Sequence, residues 1–169
     1  ADDPYFVAEK GRLFVMAPLY AQTTRYPYAA DFQGVRYIRQ STIAVMDAYS
    51  GETKLYVLDD AEPITRAWRS VYPSLFTPGD QLPQELRSHL RLGETGLNVV
   101  ADGARKFHVT EVDALYNGDE AWAPTVEAYG PGVQGTPLVS PIRYTYAVLP
   151  GDNTERFVAV QSYKPAVSG

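Results

Sequence analysis

The stretch TIAVMDAYSGETKLYVLDD, residues 42–60, sets four carboxylates and a glycine between two apolar runs. Asp47, Glu52, Asp59 and Asp60 read either as the acids of an active site or as the polar punctuation of a β-hairpin. Ile43, Val45 and Asp47 alternate with Ala44, Met46 and Ala48. After the turn, Leu55 and Val57 alternate with Tyr56 and Leu58. Period two on both sides is the spacing of two strands. Asp47, Ser50 and Gly51 then sit where a short hairpin loop needs local side-chain acceptors and one residue with positive φ. Glu52 falls at the loop exit, facing water near Lys54 as a solvated charge. The hairpin reading accounts for these residues without catalysis.

Outward from this hairpin, extended and helical blocks alternate. Tyr5–Ala8 and Leu13–Met16 form a first hairpin around Glu9, Lys10 and Gly11, and Pro18 is expected to close its second strand. AQTTRYPYAADFQG (21–34) reads as a loop holding the rigid Tyr26-Pro27-Tyr28 step, after which VRYIR resumes extended structure. Ile64, Ala67, Trp68, Val71 and Tyr72 recur at i, i+3, i+4, i+7 and i+8, the stripe of an amphipathic helix. Pro63 suits its first turn, and Asp59 and Asp60 before it complement the positive end of the helix dipole. Pro73 ends that helix, and Leu75 and Phe76 are expected to plug the following loop. PQELRSHLR (83–91) gives a second helix, residues 97–107 a weaker third, and TEVDALY a short turn of helix with a Thr110–Asp113 capping-box spacing. Gly and Pro crowd residues 119–141, which reads as an exposed loop. RYTYAVLPGDNTERFVAVQ (143–161) is a closing hairpin around PGDNTE.

The layout predicts an α+β fold: an antiparallel sheet built from N-terminal and C-terminal hairpins, with three or four helices inserted between them. At 169 residues and 45% hydrophobic content the chain can bury one core, so one domain over 1–169 is expected, with two small subdomains as the alternative. Thirteen Tyr against six Phe point to half-buried sheet faces with wet edges.

Composition excludes several function classes. A net charge of −5 offers no cationic surface to nucleic acid. Zero cysteines removes disulfides, thiolate nucleophiles and cysteine-ligated metals, without fixing the compartment. No window reaches the ~18 apolar residues of a membrane span, and ADDPYFVAEK lacks a basic region leading an apolar one. The segment is therefore expected to be soluble, with no membrane insertion of its own. His89 and His108 stand without metal-ligand spacing, His89 as a helix residue and His108 at a helix terminus facing the negative dipole end. No metal and no cofactor are expected. No nucleophile elbow or phosphate loop occurs, and the glycines of YGPGVQG lie among prolines rather than between strand and helix.

In order and interval, GRLFVMAPLYAQTTRYPYA, VRYIRQSTIAVMDAYSGETKLYVLDD, the PSLF loop, PQELRSHLR, FHVTEVDALYNGDEAW and RYTYAVLPGDNTERFVAVQSYKP closely resemble the UPF0182 family of uncharacterised bacterial membrane proteins. The resemblance covers nearly the whole chain. It implies a soluble segment of a protein whose N-terminal part holds several membrane spans, facing outward from the cytoplasmic membrane, with the protein's own transmembrane region as a partner. It carries no catalytic residues to transfer.

Three functions follow as alternatives. The first, favoured here, is a non-catalytic extracytoplasmic module that binds or senses an envelope protein or glycan through Arg25, Tyr26, Tyr28, Arg36, Tyr37 and Arg39, where flat aromatics and forked guanidinium groups can grip a partner. Against it stands a Tyr-Pro-Tyr loop packed on its own sheet with its arginines paired to acids. The second is an envelope hydrolase using two carboxylates, which requires a cleft holding an acid of raised pKa. The third is a structural or oligomerisation module, which requires a large exposed apolar patch.

Overall fold

The computed structural model describes residues 1–127 and 138–166, with the backbone alone at Glu127 and Leu138. The fold is α+β, with an N-terminal sheet that is antiparallel except for its last pair and helices both within and after it. The chain divides into two compact units, Ala1–Gly96 and Leu97–Gly169.

The first unit is a five-stranded sheet in the order β1 (Tyr5–Glu9), β2 (Arg12–Thr23), β3 (Tyr37–Asp47), β4 (Thr53–Val57), β5 (Phe76–Pro78). Lys10 (φ 50°) and Gly11 (φ 74°) make the two-residue turn between β1 and β2, closed by the Glu9–Arg12 pair. Positive φ at both turn positions matches the right-handed twist of the flanking strands. The 42–60 stretch forms the expected antiparallel hairpin, with Ile43 opposite Tyr56 and Val45 opposite Lys54.

Pro18 does not close β2, which runs on to Thr23 and pairs Pro18 with Ile43. The Pro18 carbonyl accepts from the Asp2 N–H, so the backbone polar edge of Pro18 faces away from β3. Its missing N–H costs no bond to β3, and proline is tolerated there. Phe76 is likewise not a loop plug. It opens β5, which lies parallel to β4 with Leu55 opposite Phe76. Between them, α1 (Pro63–Val71) and a 3₁₀ turn (Pro73–Leu75) supply the crossover that a parallel pair needs.

Alternation along the strands separates two sheet faces. On one, Val7, Met16, Ile43, Val45 and Tyr56 are buried under Leu82 and Leu86, which follow β5 in a 3₁₀ turn (Gly79–Gln81) and α2 (Gln84–Arg87). Met16 and Ile43 are fully buried; each such side chain contributes about 1.5–3 kcal/mol of hydrophobic stabilisation. The start of α3 (Glu94–Phe107) is tied to this sheet by polar side chains. Asp2 Oδ2 accepts from Thr95 N at 2.7 Å and the Tyr20 hydroxyl from Gly96 N at 3.2 Å. The Gln40 amide donates to the Arg91 carbonyl and accepts from Gly93 N. The bonds from Thr95 N and Gly96 N satisfy N–H groups that a helix start leaves without partners, and together with the Gln40 bonds they explain why α3 begins three residues before the predicted 97.

In the second unit, α4 (Val112–Asn117) follows α3 and ends at Gly118, φ 77°. The Thr110–Asp113 capping box does not form: the cap residue is Glu111, and no side chain bonds to the helix start. The closing hairpin is present as β9 (Arg143–Val148) and β10 (Glu155–Val160), paired with each other as a two-stranded sheet. Within 119–141, residues 128–137 lie outside the described residues. Their flanks carry short strands, β6 (Trp122–Pro124) paired with β11 (Tyr163–Pro165), and β7 (Val126–Glu127) paired with β8 (Leu138–Val139). His108 stacks on Trp122 at 3.5 Å between ring centroids, and its Nδ1 lies 2.8 Å from the Ala104 carbonyl in the last turn of α3. This is the helix-terminus position read from the sequence.

Candidate functional site

The six residues proposed as a binding surface divide into two groups. Tyr37 and Arg39 leave on β3 and are tied inward. Tyr37 stacks with Tyr26 at 5.4 Å and donates its hydroxyl to Glu62 Oε1 at 3.1 Å. Arg39 Nε sits 2.6 Å from Asp59 Oδ2. Arg25, Tyr28 and Arg36 lie exposed in the connection from β2 to β3. No described side chain pairs with either guanidinium there, and Tyr28 is fully exposed at φ 59°. The connection is ordered by its backbone. The Phe32–Val35 bridge turns through Gln33 and Gly34, both at positive φ, with Asp31 Oδ1 accepting from Gly34 N.

Tyr37 leads to a residue that the sequence reading missed. Glu62 is 2% exposed and is the N-cap of α1, with Oε1 accepting from Ile64 N and Oε2 from Thr65 N. Burial pushes its carboxyl pKa up. The bonds from Thr65, Ile64 and Tyr37 outweigh that, and the group is held below its ordinary value of 4.5. Asp59 and Asp60, expected at this helix start, do other work. Asp59 Oδ1 accepts from Ala61 N in the preceding turn, and Asp60 pairs with Arg69. The glutamate wins the cap because it directly precedes Pro63 at the first helical position, where its side chain can reach the next two N–H groups.

Asp47 is the turn-forming residue expected of it. Its Oδ1 accepts from Tyr49 N at 2.9 Å and Ser50 N at 3.2 Å, Gly51 takes φ 73°, and Arg12 pairs with Oδ2. The bond from Tyr49 N, with smaller contributions from Ser50 and Arg12, holds the Asp47 carboxyl below the usual range. A general acid at neutral pH needs the opposite shift. Glu62 and Asp47 are both held ionised, so neither has the chemistry of a proton donor. Among the described residues no three of His, Asp and Glu gather to hold a metal ion. His89 is exposed, 3.9 Å from Glu9.

Two surfaces of the first unit remain chemically distinctive. The second face of the sheet is apolar and, away from the buried Thr42 and Val57, only partly covered. From β1 it presents Phe6, 72% exposed. From β2 it presents Leu13, Val15 and Ala17, and opposite them on β3 lie Ala44 and Met46, all only partly buried. At one end of this face, α1 leaves a groove of about 400 Å³ against Leu19, Leu55 and Phe76. The predicted stripe of α1 is not core. Ile64 is partly buried, whereas Trp68, Val71 and Tyr72 are 55%, 64% and 49% exposed, and the buried residue of the helix is Thr65, bonded to Ser41 Oγ at 2.6 Å. The other surface is a cleft of about 350 Å³ at the edge of the covered face, beside Asp47 and Tyr56.

No helix among the described residues is long and apolar enough to cross a membrane. No solved structure matches the chain. Curated relatives match nearly all of it. A UPF0182 protein of Solibacter usitatus is 34% identical over 171 residues, covering 96% of this chain and 18% of the relative. One from Prochlorococcus marinus is 33% identical over 177 residues, with 96% and 18% covered. One from Clostridium acetobutylicum is 30% identical over 161 residues, with 95% and 18% covered. The chain thus spans under a fifth of the length of the relatives it matches. The model of the uncharacterised protein family UPF0182 aligns with residues 1–168, and the chain belongs to that family.

Proposed function

We propose that this chain is a non-catalytic interaction module of a longer UPF0182 protein, and that its contact surface is the uncovered apolar face of the N-terminal sheet. One observation carries the reading: the sheet buries one face under Leu82 and Leu86 and leaves the other lined by Phe6, Leu13, Val15 and Met46. A sheet face lined by apolar side chains and left only partly buried offers a place where another surface can dock. The occupant is another stretch of the same polypeptide, since relatives matched along this chain are more than five times the length aligned. Following the family resemblance, the reading places that polypeptide in the cytoplasmic membrane with this segment on the extracytoplasmic side. The exposed Arg25, Tyr28 and Arg36 then face outward, available to an envelope protein or glycan.

The 169 residues hold no cysteine, so an introduced thiol is the one labelling site within them. Phe6→Cys and Val15→Cys are introduced singly into the 169-residue chain and into the longer protein, and the rate of labelling by a polar maleimide is mapped by peptide. Tyr49→Cys, at the hairpin turn, serves as the exposed reference. Labelling of the two sheet positions is expected to slow at least about tenfold in the longer protein, with the reference unchanged. Equal rates in both contexts would refute the proposal.

A further inference from the structure

The cleft at the edge of the covered sheet face has the features of a small-ligand site. Its volume, about 350 Å³, lies within the range of roughly 300–1,000 Å³ typical of such sites. Phe14 and Val45 from the sheet and Pro83 and Leu86 from the segment above it give apolar walls. The antiparallel register places Phe14 opposite Asp47 and Val45 opposite Lys54, and puts Tyr56 two residues beyond Lys54 on the same face.

Tyr56 is the informative residue. It is only 7% exposed, yet its hydroxyl has no hydrogen-bond partner among the described residues. That oxygen is also not sealed from solvent, and the side chain lines the cleft. A phenol so deeply buried ordinarily finds a partner in the protein. Tyr56 lines the cleft, where a ligand can supply that partner.

The rim carries charges of both signs. Lys10 pairs with Glu85, Arg12 with Asp47, and Lys54 with Glu52 at 3.1 Å, while Glu9 adds a fourth acid. Four acids against three bases leave one net negative charge, which disfavours phosphates and other multiply charged anions. Lys10–Glu85 and Lys54–Glu52 are exposed on both sides, and exposed ion pairs exchange partners at little cost. A ligand bearing both an ammonium and a carboxylate can therefore replace such pairs one for one.

We propose that this cleft binds short zwitterionic peptides with apolar side chains. The side chain packs on Phe14, Val45 and Leu86. The carboxylate takes the Tyr56 hydroxyl and the Lys54 ammonium, and the peptide ammonium faces Glu9 and Glu85. The site lies on the face opposite the proposed docking surface, so either proposal can fail without the other.

The test is a titration of the ¹⁵N-labelled 169-residue chain with the dipeptide Leu-Leu, followed by amide chemical shifts. Saturable shifts confined to the amides around Lys54, Tyr56 and Leu86 are expected, with a Kd of about 1 mM or tighter. N-acetyl-Leu-Leu-amide, which lacks both charges, is expected to bind at least about fivefold more weakly. Tyr56→Phe is expected to lose about fivefold in affinity with an unchanged melting temperature, because the hydroxyl has no protein partner to lose. Should Tyr56→Phe melt early, Lys54→Met on the exposed rim carries the same comparison. Absence of saturable shifts, equal binding of the blocked peptide, or undiminished binding by the substituted chain would each overturn the proposal.

Discussion

Glu62→Ala is expected to lower the stability of the chain by about 3 kcal/mol, read as a shift of the urea midpoint at constant m-value. Two contributions of comparable size add. Loss of an N-cap costs about 0.5–2 kcal/mol, and the Tyr37 hydroxyl, now without its acceptor in a part-buried position, costs about 1–3 kcal/mol more. The cap is also the junction between β3 and α1, because Glu62 Oε1 takes both Ile64 N and Tyr37. Glu62→Gln keeps one acceptor oxygen but offers an amide where Thr65 N needs the second, so it is expected to fall between parent and alanine. A change below about 0.5 kcal/mol for alanine would show that the buried carboxylate is not a structural cap.

The same carboxyl sets a pH dependence whose sign is fixed. The folded state holds the Glu62 pKa below its ordinary 4.5. The unfolded state therefore binds the proton more readily, and the contribution is complete above pH 4.5 and lost as pH falls through the lower folded value. Parent and Glu62→Gln curves should converge as the pH drops below 4.5. Asp47 and Glu85, also held low, lose stabilisation in the same direction in both proteins and cancel from that comparison.

Gly79→Ala is expected to cost about 3 kcal/mol, and its cause is a close approach of backbone rather than an unusual dihedral. A Cβ at Gly79 would lie 1.9 Å from the Val57 carbonyl oxygen and 3.0 Å from its carbon. These are atoms of β4, which cannot swing aside as a side chain would. Relief requires moving the 3₁₀ turn, whose Gly79 carbonyl accepts from Leu82 N and from the Arg87 guanidinium. Leu82 covers the core at 3% exposure, so the shift reaches Met16 and Ile43, and overpacking of this kind costs about 1–3 kcal/mol or more. Gly103→Ala provides the contrast. It sits inside α3 with nothing within 4 Å of the added carbon, and alanine there is expected to stabilise by about 0.5–1 kcal/mol. Equal effects of the two substitutions would mean that helix propensity, not contact with β4, governs both.

The hairpins were legible because each rests on neighbours a few residues apart. Period two in 42–48 and 55–58, with Asp47 and Gly51 between, specifies strand, turn and strand before any distant contact forms. The α1 stripe was legible as a helix for the same reason, but not as surface. A hydrophobic stripe records which side chains lie together, and only the packing of α1 at one end of the sheet leaves Trp68 and Tyr72 exposed. Phe76 as a strand was invisible because a parallel pair is made by a crossover of eighteen residues between β4 and β5, with no local turn signal.

The candidate sites show the same division. The sequence by itself determined the UPF0182 membership, the α+β class, the turn role of Asp47 and the absence of an excess of positive charge for nucleic acid. The membership rests on the order of blocks along nearly the whole chain, and the others on residue identity, composition and short spacing. Only the tertiary structure decided that Glu62 is a buried cap joined to Tyr37 twenty-five residues away, that Arg39 closes on Asp59, that one sheet face is covered and its opposite left apolar, and that the Tyr56 hydroxyl opens on a cleft. Burial and partnership at these residues are set by segments distant in the chain, and no local spacing carries that information.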